Sequence, residues 1–368
     1  MQRPHTNPIL ALPLADDQRS VWRPPDEIEF HEVAGTQFSL IGCFSGLPAK
    51  LTSRGTELLA APMFDIWRSG YVRRSLASVA SSRGVRPDEV VWLPPRRSFR
   101  YDADPFGIQL DGVLTVFVEN YDYRVRRGEI HYCQYDGADR LLKQGVALTQ
   151  AVHLSYPSLI EDAGELYMLP EAYKSGRLTL FRCKRFPDDW EPIQQLLPEG
   201  AIDATVVRYG GIWWMFHALP GPRNRSMREL HIAFAPTLMG PWSTHPANPV
   251  RSGFESSRPG GTAFEYDGAL HLPVQDCVGT YGAALSLLRI DVLTPEAFSA
   301  APTIRLEPGE LLAGFGDGLH TLSGHGDITF IDVKSIRRSF LQPFISLLFK
   351  LRRAAGLNKP RATPSLCR

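Results

Sequence analysis

The feature that most constrains this chain is a segment that occurs four times in its sequence. Each copy begins with a short opening. The two residues of a turn dipeptide lie six and seven positions after the second residue of that opening. An apolar, aromatic-rich run follows the turn. The openings recur roughly every 50 residues, a period typical of the four-stranded blade of a β-propeller. The four copies open at Asp104, Tyr156, Asp203 and Gly260.

Each copy predicts a β-hairpin. Asp-Gly and Gly-Gly between apolar runs favour type I′ turns, because both central residues of that turn need a positive φ. The turn dipeptides are Asp111-Gly112, Ala163-Gly164, Gly210-Gly211 and Asp267-Gly268. Between residues 100 and 330 no long run has the helical period, which excludes a helical solenoid.

The remaining strand-like segments predict a fifth blade that closes the ring. Residues 67–72 and 90–93 lie before the repeats, and residues 327–333 follow them. Pairing the first and last strands in one blade would remove an exposed sheet edge. We therefore predict an all-β fold, a five-bladed β-propeller over residues 65–335, with an N-terminal extension (1–64) and a helical tail (336–368).

Composition excludes several classes of protein. A formal charge of +1 without a Lys/Arg-rich face argues against nucleic acid as a partner. The five cysteines contain no CxxC pair, so neither a disulfide framework nor a structural zinc site is indicated. The first 17 residues lack a signal-peptide pattern, which favours a reduced, cytoplasmic protein. No glycine-rich nucleotide motif is present, and no cofactor is expected.

The tail after residue 333 predicts a helix with one apolar face flanked by cations. Such a helix either lies in a membrane interface, with its cations on anionic lipid, or packs against the propeller. The first alternative implies a peripheral membrane contact and a membrane-associated location. The apolar residues are Phe340, Leu341, Phe344, Ile345, Leu348 and Leu351.

Carboxylates occupy equivalent positions in several copies of the repeat. The innermost strand of each blade lines the central channel, and the next strand runs antiparallel to it. The start of the first strand and the end of the second are therefore expected at the same mouth of the channel. Crowded carboxylates in a dry cleft have raised pKa values, and glycoside cleavage uses one carboxylic acid and a second carboxylate. Alternatively, these residues cap turns or bind backbone N–H groups. The predicted catalytic residues are Asp104, Glu119, Glu171 and Asp203.

Other polar residues near the repeat openings are predicted to bind substrate at the same mouth. They are His153, Tyr156, Arg258, Gln275, Asp276 and His320. Aromatic residues could add a platform for a sugar ring, although in strands they more often pack in cores. The candidates for that platform are Tyr121, Tyr123, Tyr173, Trp213 and Trp214. His320 and His325 have no third ligand at a suggestive spacing, so no metal site is predicted.

Two stretches resemble a known group of enzymes. Residues 102–106 (Asp-Ala-Asp-Pro-Phe) and 118–122 (Val-Glu-Asn-Tyr-Asp) are similar to the five-bladed propellers of arabinanase, invertase and levansucrase type. In those enzymes an Asp early in the first repeat, often before Pro, is the base or nucleophile, and a later Glu is the acid. The resemblance implies these roles for Asp104 and Glu171.

A closer resemblance covers roughly residues 65–335. The motifs are His-Leu-Ser-Tyr-Pro-Ser (153–158), Met-Leu-Pro-Glu (168–171), Ala-Ile-Asp-Ala-Thr (201–205) and Arg-Pro-Gly-Gly (258–261). They look like the N-terminal propeller domain of plant glucosamine inositolphosphorylceramide transferase and its stand-alone bacterial relatives. This resemblance implies a fold and a role in glycan or glycolipid metabolism. The plant transferase chemistry is assigned to a separate C-terminal domain that we do not expect here.

Three hypotheses follow. The first is a carbohydrate-active enzyme that cleaves or transfers glycosyl units. The second is a non-catalytic propeller that binds a sugar or glycolipid in an assembly complex. The third is a protein-interaction propeller.

Overall fold

The computed structural model describes residues 62–97 and 99–355, in which five β-sheets form a closed ring of blades. This confirms the predicted five-bladed propeller. The N-terminal extension lies almost entirely outside the described residues, as does the tail beyond residue 355.

The first two strands belong to the blade that closes the ring, and the next eight strands form two complete blades. A helix, α1 (Leu76–Ser81), and a 3₁₀ turn (Pro87–Glu89) separate the first two strands, and a second 3₁₀ turn (Tyr173–Ser175) follows β8. The first ten strands are β1 (Met63–Val72), β2 (Val91–Trp92), β3 (Arg100–Leu110), β4 (Val113–Asp122), β5 (Arg127–Tyr135), β6 (Leu141–Leu148), β7 (Ser155–Asp162), β8 (Glu165–Glu171), β9 (Leu178–Arg185) and β10 (Asp189–Leu197).

Two further blades and the return to the closing blade complete the ring. The short helix α2 (Arg225–Arg228) precedes β13, and α3 (Gln342–Ala354) follows the last strand. The remaining strands are β11 (Ile202–Tyr209), β12 (Ile212–Ala218), β13 (Glu229–Ala235), β14 (Ser243–Thr244), β15 (Arg251–Ser252), β16 (Arg258–Pro259), β17 (Phe264–Tyr266), β18 (Ala269–Asp276), β19 (Ala284–Leu293), β20 (Phe298–Leu306), β21 (Leu322–His325) and β22 (Ile328–Arg338).

Each of four blades is built from strands that are consecutive in the chain, and the fifth blade combines strands from the two ends of the described chain. Strands β3–β6 and β7–β10 each form one sheet, β11–β14 form the third with β15 on β13, and β16–β20 form the fourth. The closing blade has the order β2-β1-β22-β21. Its central pair runs antiparallel from Met63 opposite Arg338 to Val72 opposite Thr329. The predicted pairing of first and last strands is therefore confirmed.

The apolar cores lie between neighbouring blades, and five of them complete the circle. Phe117 of the β3–β6 blade, for example, packs in one cluster with Met168 of the next blade. At the closure, Leu287 of β19 shares a cluster with Ile331 and Val333 of β22. Because each blade buries an apolar face on both sides, a blade is not expected to be stable without its neighbours.

The repeat opening is a β-bulge that the structure places in three blades. Asp104, Tyr156 and Asp203 have φ values of 48°, 45° and 49°. At each of them the strand register shifts; Ala103 pairs with Glu119, and the next paired residue is Phe106. An extra residue with left-handed backbone re-aims the chain locally. The repeated motif thus encodes a bend that brings three inner strands to the channel in the same conformation.

No helix in the described part of the chain is long and apolar enough to cross a bilayer.

Candidate functional site

A cavity of about 100 Å³ lies at one end of the channel, and side chains from the whole ring line it. All four predicted carboxylates contribute to its wall, together with His153, Arg258 and His320. Four of these residues belong to an inner strand or to the strand that pairs with it. The convergence that the repeat predicts is therefore present in the fold. These four are Asp104, Glu119, Glu171 and Asp203.

The Asp104 carboxyl is held by three residues from two segments, β7 and the loop before β21. The Tyr156 backbone N–H donates to Oδ2 at 3.1 Å, and the Thr321 hydroxyl donates to Oδ1 at 3.1 Å. His320 Nε2 lies 3.2 Å from Oδ1. Burial raises the pKa of Asp104 to about 6, although the charge of His320 opposes the shift. Asp104 therefore titrates close to neutrality.

His320 bridges two carboxylates. Its Nδ1 lies 2.9 Å from Asp332 Oδ1, and its Nε2 faces Asp104. Burial lowers the pKa of the ring, but Asp332 and Asp104 outweigh it, so the pKa of His320 is raised above its ordinary value. Both ring nitrogens then act as donors, as in an imidazolium.

Asp332 anchors this arrangement. Its carboxylate accepts from the backbone N–H groups of His320 (3.1 Å), Thr321 (3.0 Å) and Asp104 (3.1 Å). It has no exposed surface. Through these three hydrogen bonds Asp332 fixes both His320 and the Asp104 bulge.

Glu171 and Asp203 form the second carboxylate group. The Asp203 backbone N–H donates to Glu171 Oε2 at 3.2 Å. Burial, followed by the charge of Asp203, raises the pKa of Glu171 well above its usual value, against the opposing charge of Arg258. Asp203 accepts from Arg258 Nε at 2.6 Å and from Gln275 Nε2 at 2.8 Å. Asp203 thus forms a buried ion pair with Arg258, and the raised pKa of Glu171 favours its protonated form.

Glu119 of β4 and His153, which lies shortly before β7, form a further pair in the cavity wall. The Gly128 backbone N–H donates to His153 Nδ1 at 2.7 Å. Nδ1 is therefore the acceptor, and in the neutral ring Nε2 carries the proton. That nitrogen lies 3.6 Å from Glu119 Oε1, so the ring is oriented towards the carboxylate.

Three predicted substrate-binding residues lie outside the cavity wall. The Tyr156 hydroxyl accepts from the Gly261 N–H at 2.7 Å and lies 2.8 Å from Thr205 Oγ1, which ties three blades together below the cavity. Gln275 supports Asp203 from behind. Asp276 follows Gln275 in β18, and consecutive strand residues point to opposite faces; its carboxylate pairs with Arg305 instead.

The closing blade supplies residues that the sequence analysis missed. Asp65 and Trp67 of β1 line the cavity, and Trp67 stacks on His320 with centroids 3.8 Å apart. Lys334 is fully buried, with Nζ 2.8 Å from Thr280 Oγ1 and 3.9 Å from Asp65 Oδ2. One signal could have found Lys334. Glu119 and Glu171 each lie seven residues after the second turn residue, and the same spacing from Asp327 gives Lys334.

Aromatic rings form much of the remaining wall. Tyr101 and Tyr121 stack with centroids 5.2 Å apart, and Tyr123 packs edge-on against Tyr121 at 5.0 Å. Tyr121, Tyr123 and Tyr173 line the cavity, as proposed for a sugar platform. Trp213 and Trp214 instead belong to interblade cores.

One group of side chains has the spacing of metal ligands. Ligand atoms of Asp104, His320 and Asp332 lie within 4.8 Å of one another. The same atoms already pair with each other, and a metal would have to displace the proton on His320. His325 lies apart from them and contacts Glu161 at 3.2 Å.

Comparison with known proteins places the chain in a family. Residues 96–307 match the family model described as glucosamine inositolphosphorylceramide transferase 1, N-terminal. The protein of that name from Oryza sativa subsp. indica is 36% identical over 211 residues, which covers 54% of this chain and 27% of the rice protein. The one from Arabidopsis thaliana is 33% identical over 202 residues, covering 53% and 26%. The match thus spans about a quarter of these curated relatives.

Solved structures with a similar shape share little sequence with this chain. Zg3597, a family 117 glycoside hydrolase from Zobellia galactanivorans, has a TM-score of 0.47 at 13% identity, covering 73% of this chain and 90% of that one. RS223-Beta-xylosidase has a TM-score of 0.47 at 10% identity, covering 67% and 98%. The family assignment depends on the sequence match: the chain belongs to the family of the N-terminal domain of glucosamine inositolphosphorylceramide transferase 1.

Proposed function

We propose that the cavity performs acid–base chemistry on a glycosyl group, with Glu171 as the proton donor and Asp104 as the base or nucleophile. The observation that carries this proposal is that two buried carboxyl groups with raised pKa values line one cavity. Pairs of titratable groups in distinct environments are characteristic of acid–base sites.

Glu171 suits the role of acid because burial raises its pKa well above the usual value, which favours a proton donor. The Asp203 N–H binds Oε2, so the proton belongs on the other oxygen, from which it can pass to a leaving group. Burial, together with the negative charge of Asp203, keeps the pKa of Glu171 high. Asp203 is therefore a positioning residue in this proposal, and Arg258 holds it in place.

Asp104 suits the complementary role because its pKa of about 6 leaves it largely ionised at neutral pH. Thr321 and the Tyr156 N–H hold its two oxygens. A fixed carboxylate can attack a sugar carbon or activate a water molecule.

The substrate class that we propose is a glycan or a glycolipid. The relatives carry a transferase name that mentions glucosamine and inositolphosphorylceramide. The aromatic wall of Tyr101, Tyr121 and Tyr123 offers apolar surface beside the carboxylates, as sugar-binding pockets do. We also propose a cytoplasmic location, which the three described cysteines support because all are free thiols.

The alternative is a propeller that binds the same ligand and breaks no bond. Its support is the internal pairing of the charged groups: Arg258 lies on Asp203 at 2.6 Å and His320 on Asp104 at 3.2 Å. Paired groups of this kind can recognise sugar hydroxyls without chemistry.

One experiment separates the two. The purified chain is incubated with nucleotide sugars, oligosaccharides and glycolipids, and products are analysed by mass spectrometry, with Glu171→Gln and Asp104→Asn beside it. For the enzyme, each variant keeps its circular dichroism and its ligand affinity but loses turnover by roughly 10²–10⁴-fold. If a bound ligand is never converted and the variants change affinity alone, the catalytic proposal is wrong and the binding alternative stands.

A further inference from the structure

Helix α3 exposes a stripe of large apolar side chains. Phe344, Leu347, Leu348 and Leu351 follow the i, i+3, i+4, i+7 spacing of one helical face, and each is between 53% and 63% exposed. Six of the fourteen exposed large hydrophobic side chains in the described part of the chain fall between residues 340 and 351. Such a concentration marks an interaction surface.

The charge of this segment identifies its partner. Residues 333–355 contain no Asp or Glu, while Lys350, Arg352 and Arg353 lie in the last turns of the helix. Arg337 and Arg338 are exposed just before it. A second copy of the helix would bring like charges together, whereas an anionic lipid surface neutralises them. A stripe of Phe and Leu bordered by cations is the pattern of interfacial helices.

The helix lies at the end of the ring where the cavity is found. The Arg126 guanidinium donates to Ser346 Oγ at 3.0 Å and lies 5.0 Å from the Phe349 ring. Arg126 is three residues from Tyr123, which lines the cavity. The Ser339 N–H donates to the Pro62 carbonyl at 3.2 Å, three residues before Asp65, another lining residue.

We propose that α3 inserts its exposed stripe into the headgroup region of an anionic bilayer and holds the cavity end of the propeller towards that surface. The inference does not depend on the chemistry proposed above, because membrane binding is measured without substrate. It assigns α3 as a docking element outside the cavity.

The test is co-sedimentation of the full chain with vesicles of phosphatidylcholine, with and without phosphatidylglycerol. We expect binding that requires phosphatidylglycerol and weakens with salt. Leu347→Asp with Leu348→Asp lowers the partition coefficient roughly 100-fold, and Arg352→Gln with Arg353→Gln lowers it roughly 30-fold. Leu142→Asp on β6, where the leucine is 56% exposed, is the matched control and leaves binding unchanged.

Orientation is read by hydrogen exchange on the same vesicles. Binding should protect residues 340–354 and the turn at Arg126, but not the hairpin turn Asp111-Gly112 at the other end of the β3–β4 hairpin. The proposal is overturned if the full chain binds no vesicle, if protection appears only at the far turns, or if the paired aspartates change the oligomeric state without affecting sedimentation. The last result would make α3 a contact between copies of the chain.

Discussion

Asp104 illustrates how the fold sets the chemistry of a single residue. Its carboxyl is buried and close to two other acids, which raises its pKa, while His320 and two hydrogen-bond donors limit the rise. The balance leaves a group that changes charge near neutrality. Its backbone is constrained as well, because a φ of 48° holds it in the left-handed region.

A pH-dependent stability follows from this residue. The folded state binds the Asp104 proton up to about pH 6, whereas an unfolded Asp releases it near pH 4. Folding therefore takes up a proton in this window, and the contribution of Asp104 to stability falls as pH rises through it. Relative to Asp104→Asn, the wild-type chain should lose up to roughly 3 kcal/mol between pH 4 and 7.

Urea titrations at fixed pH values measure this difference. Subtracting the variant removes the opposing effect of His217, whose pKa is lowered to about 3 by burial and which therefore stabilises the fold as pH rises. A difference that is flat across the window would contradict the assigned pKa.

His320 provides a second prediction at the residue level. Asp332→Asn removes the charge that stabilises the buried imidazolium of His320. Removing one partner of a buried ion pair lowers the free energy of unfolding by about 3–5 kcal/mol. The ¹⁵N shifts of the ring should then report a pKa below that in the wild type. If His320 still titrates above 6.5 in a folded Asp332→Asn variant, Asp332 is not what holds its proton.

Among the elements, the inner strands depend on the bulge. Three of the four repeats place an L residue at a positive φ at the first position of the opening, whereas in the fourth the positive φ, 142°, falls one residue later, at Gly261. A Cβ on Gly261 would collide with the carbonyl of Leu322 in the closing blade. The glycine lets two inner strands approach each other more closely than any other residue allows.

Gly261→Ala should therefore destabilise the propeller by more than about 3 kcal/mol, from the collision and the unfavourable φ together. Gly268→Ala is the control, since nothing lies within 4 Å of a Cβ there and only its φ of 71° is unfavourable. Thermal denaturation of the two variants makes the comparison. Equal melting temperatures would show that the contact with Leu322 is not tight.

At the scale of the whole molecule, the ring is held by cores between blades, and no blade has a core of its own. Phe330 of β22 is fully buried in the cluster between the closing blade and the first blade. Phe330→Ala should cost about 3–5 kcal/mol and lower the denaturation midpoint of all blades together. Hydrogen exchange in β8 and β12, on distant blades, is the measurement. If only the closing blade loses protection, the ring does not unfold as one cooperative unit.

Much of this architecture could be predicted from the sequence because the same hairpin pattern occurs four times. The turn dipeptides predict the hairpins, and both central residues of each turn have positive φ, as with Asp111 and Gly112. Asp104 and Glu171 were predicted to lie near one cavity because Asp203 occupies the position equivalent to Asp104, and Glu119 the position equivalent to Glu171, in other copies of the repeat. Lys334 was missed because the fifth copy has no recognisable opening and its turn reads Gly-Asp.

The rest depends on contacts between residues that are far apart in the chain. Asp332 binds the Asp104 N–H across 228 residues, and no local pattern indicates such a bond. Asp276 lies outside the cavity wall for a different reason. Alternation along β18 turns it away from Gln275, so two adjacent residues cannot both face the channel.

The pairing of β1 with β22 also has a consequence for biosynthesis. Asp65 and Trp67 are made early, whereas His320 and Asp332 leave the ribosome near the end of translation, yet all four surround or support one cavity. A nascent chain that has emerged only as far as the fourth blade has an open sheet edge and lacks His320 and Asp332, which hold Asp104 in place. The cavity wall is therefore completed in a single late step, when β22 pairs with β1.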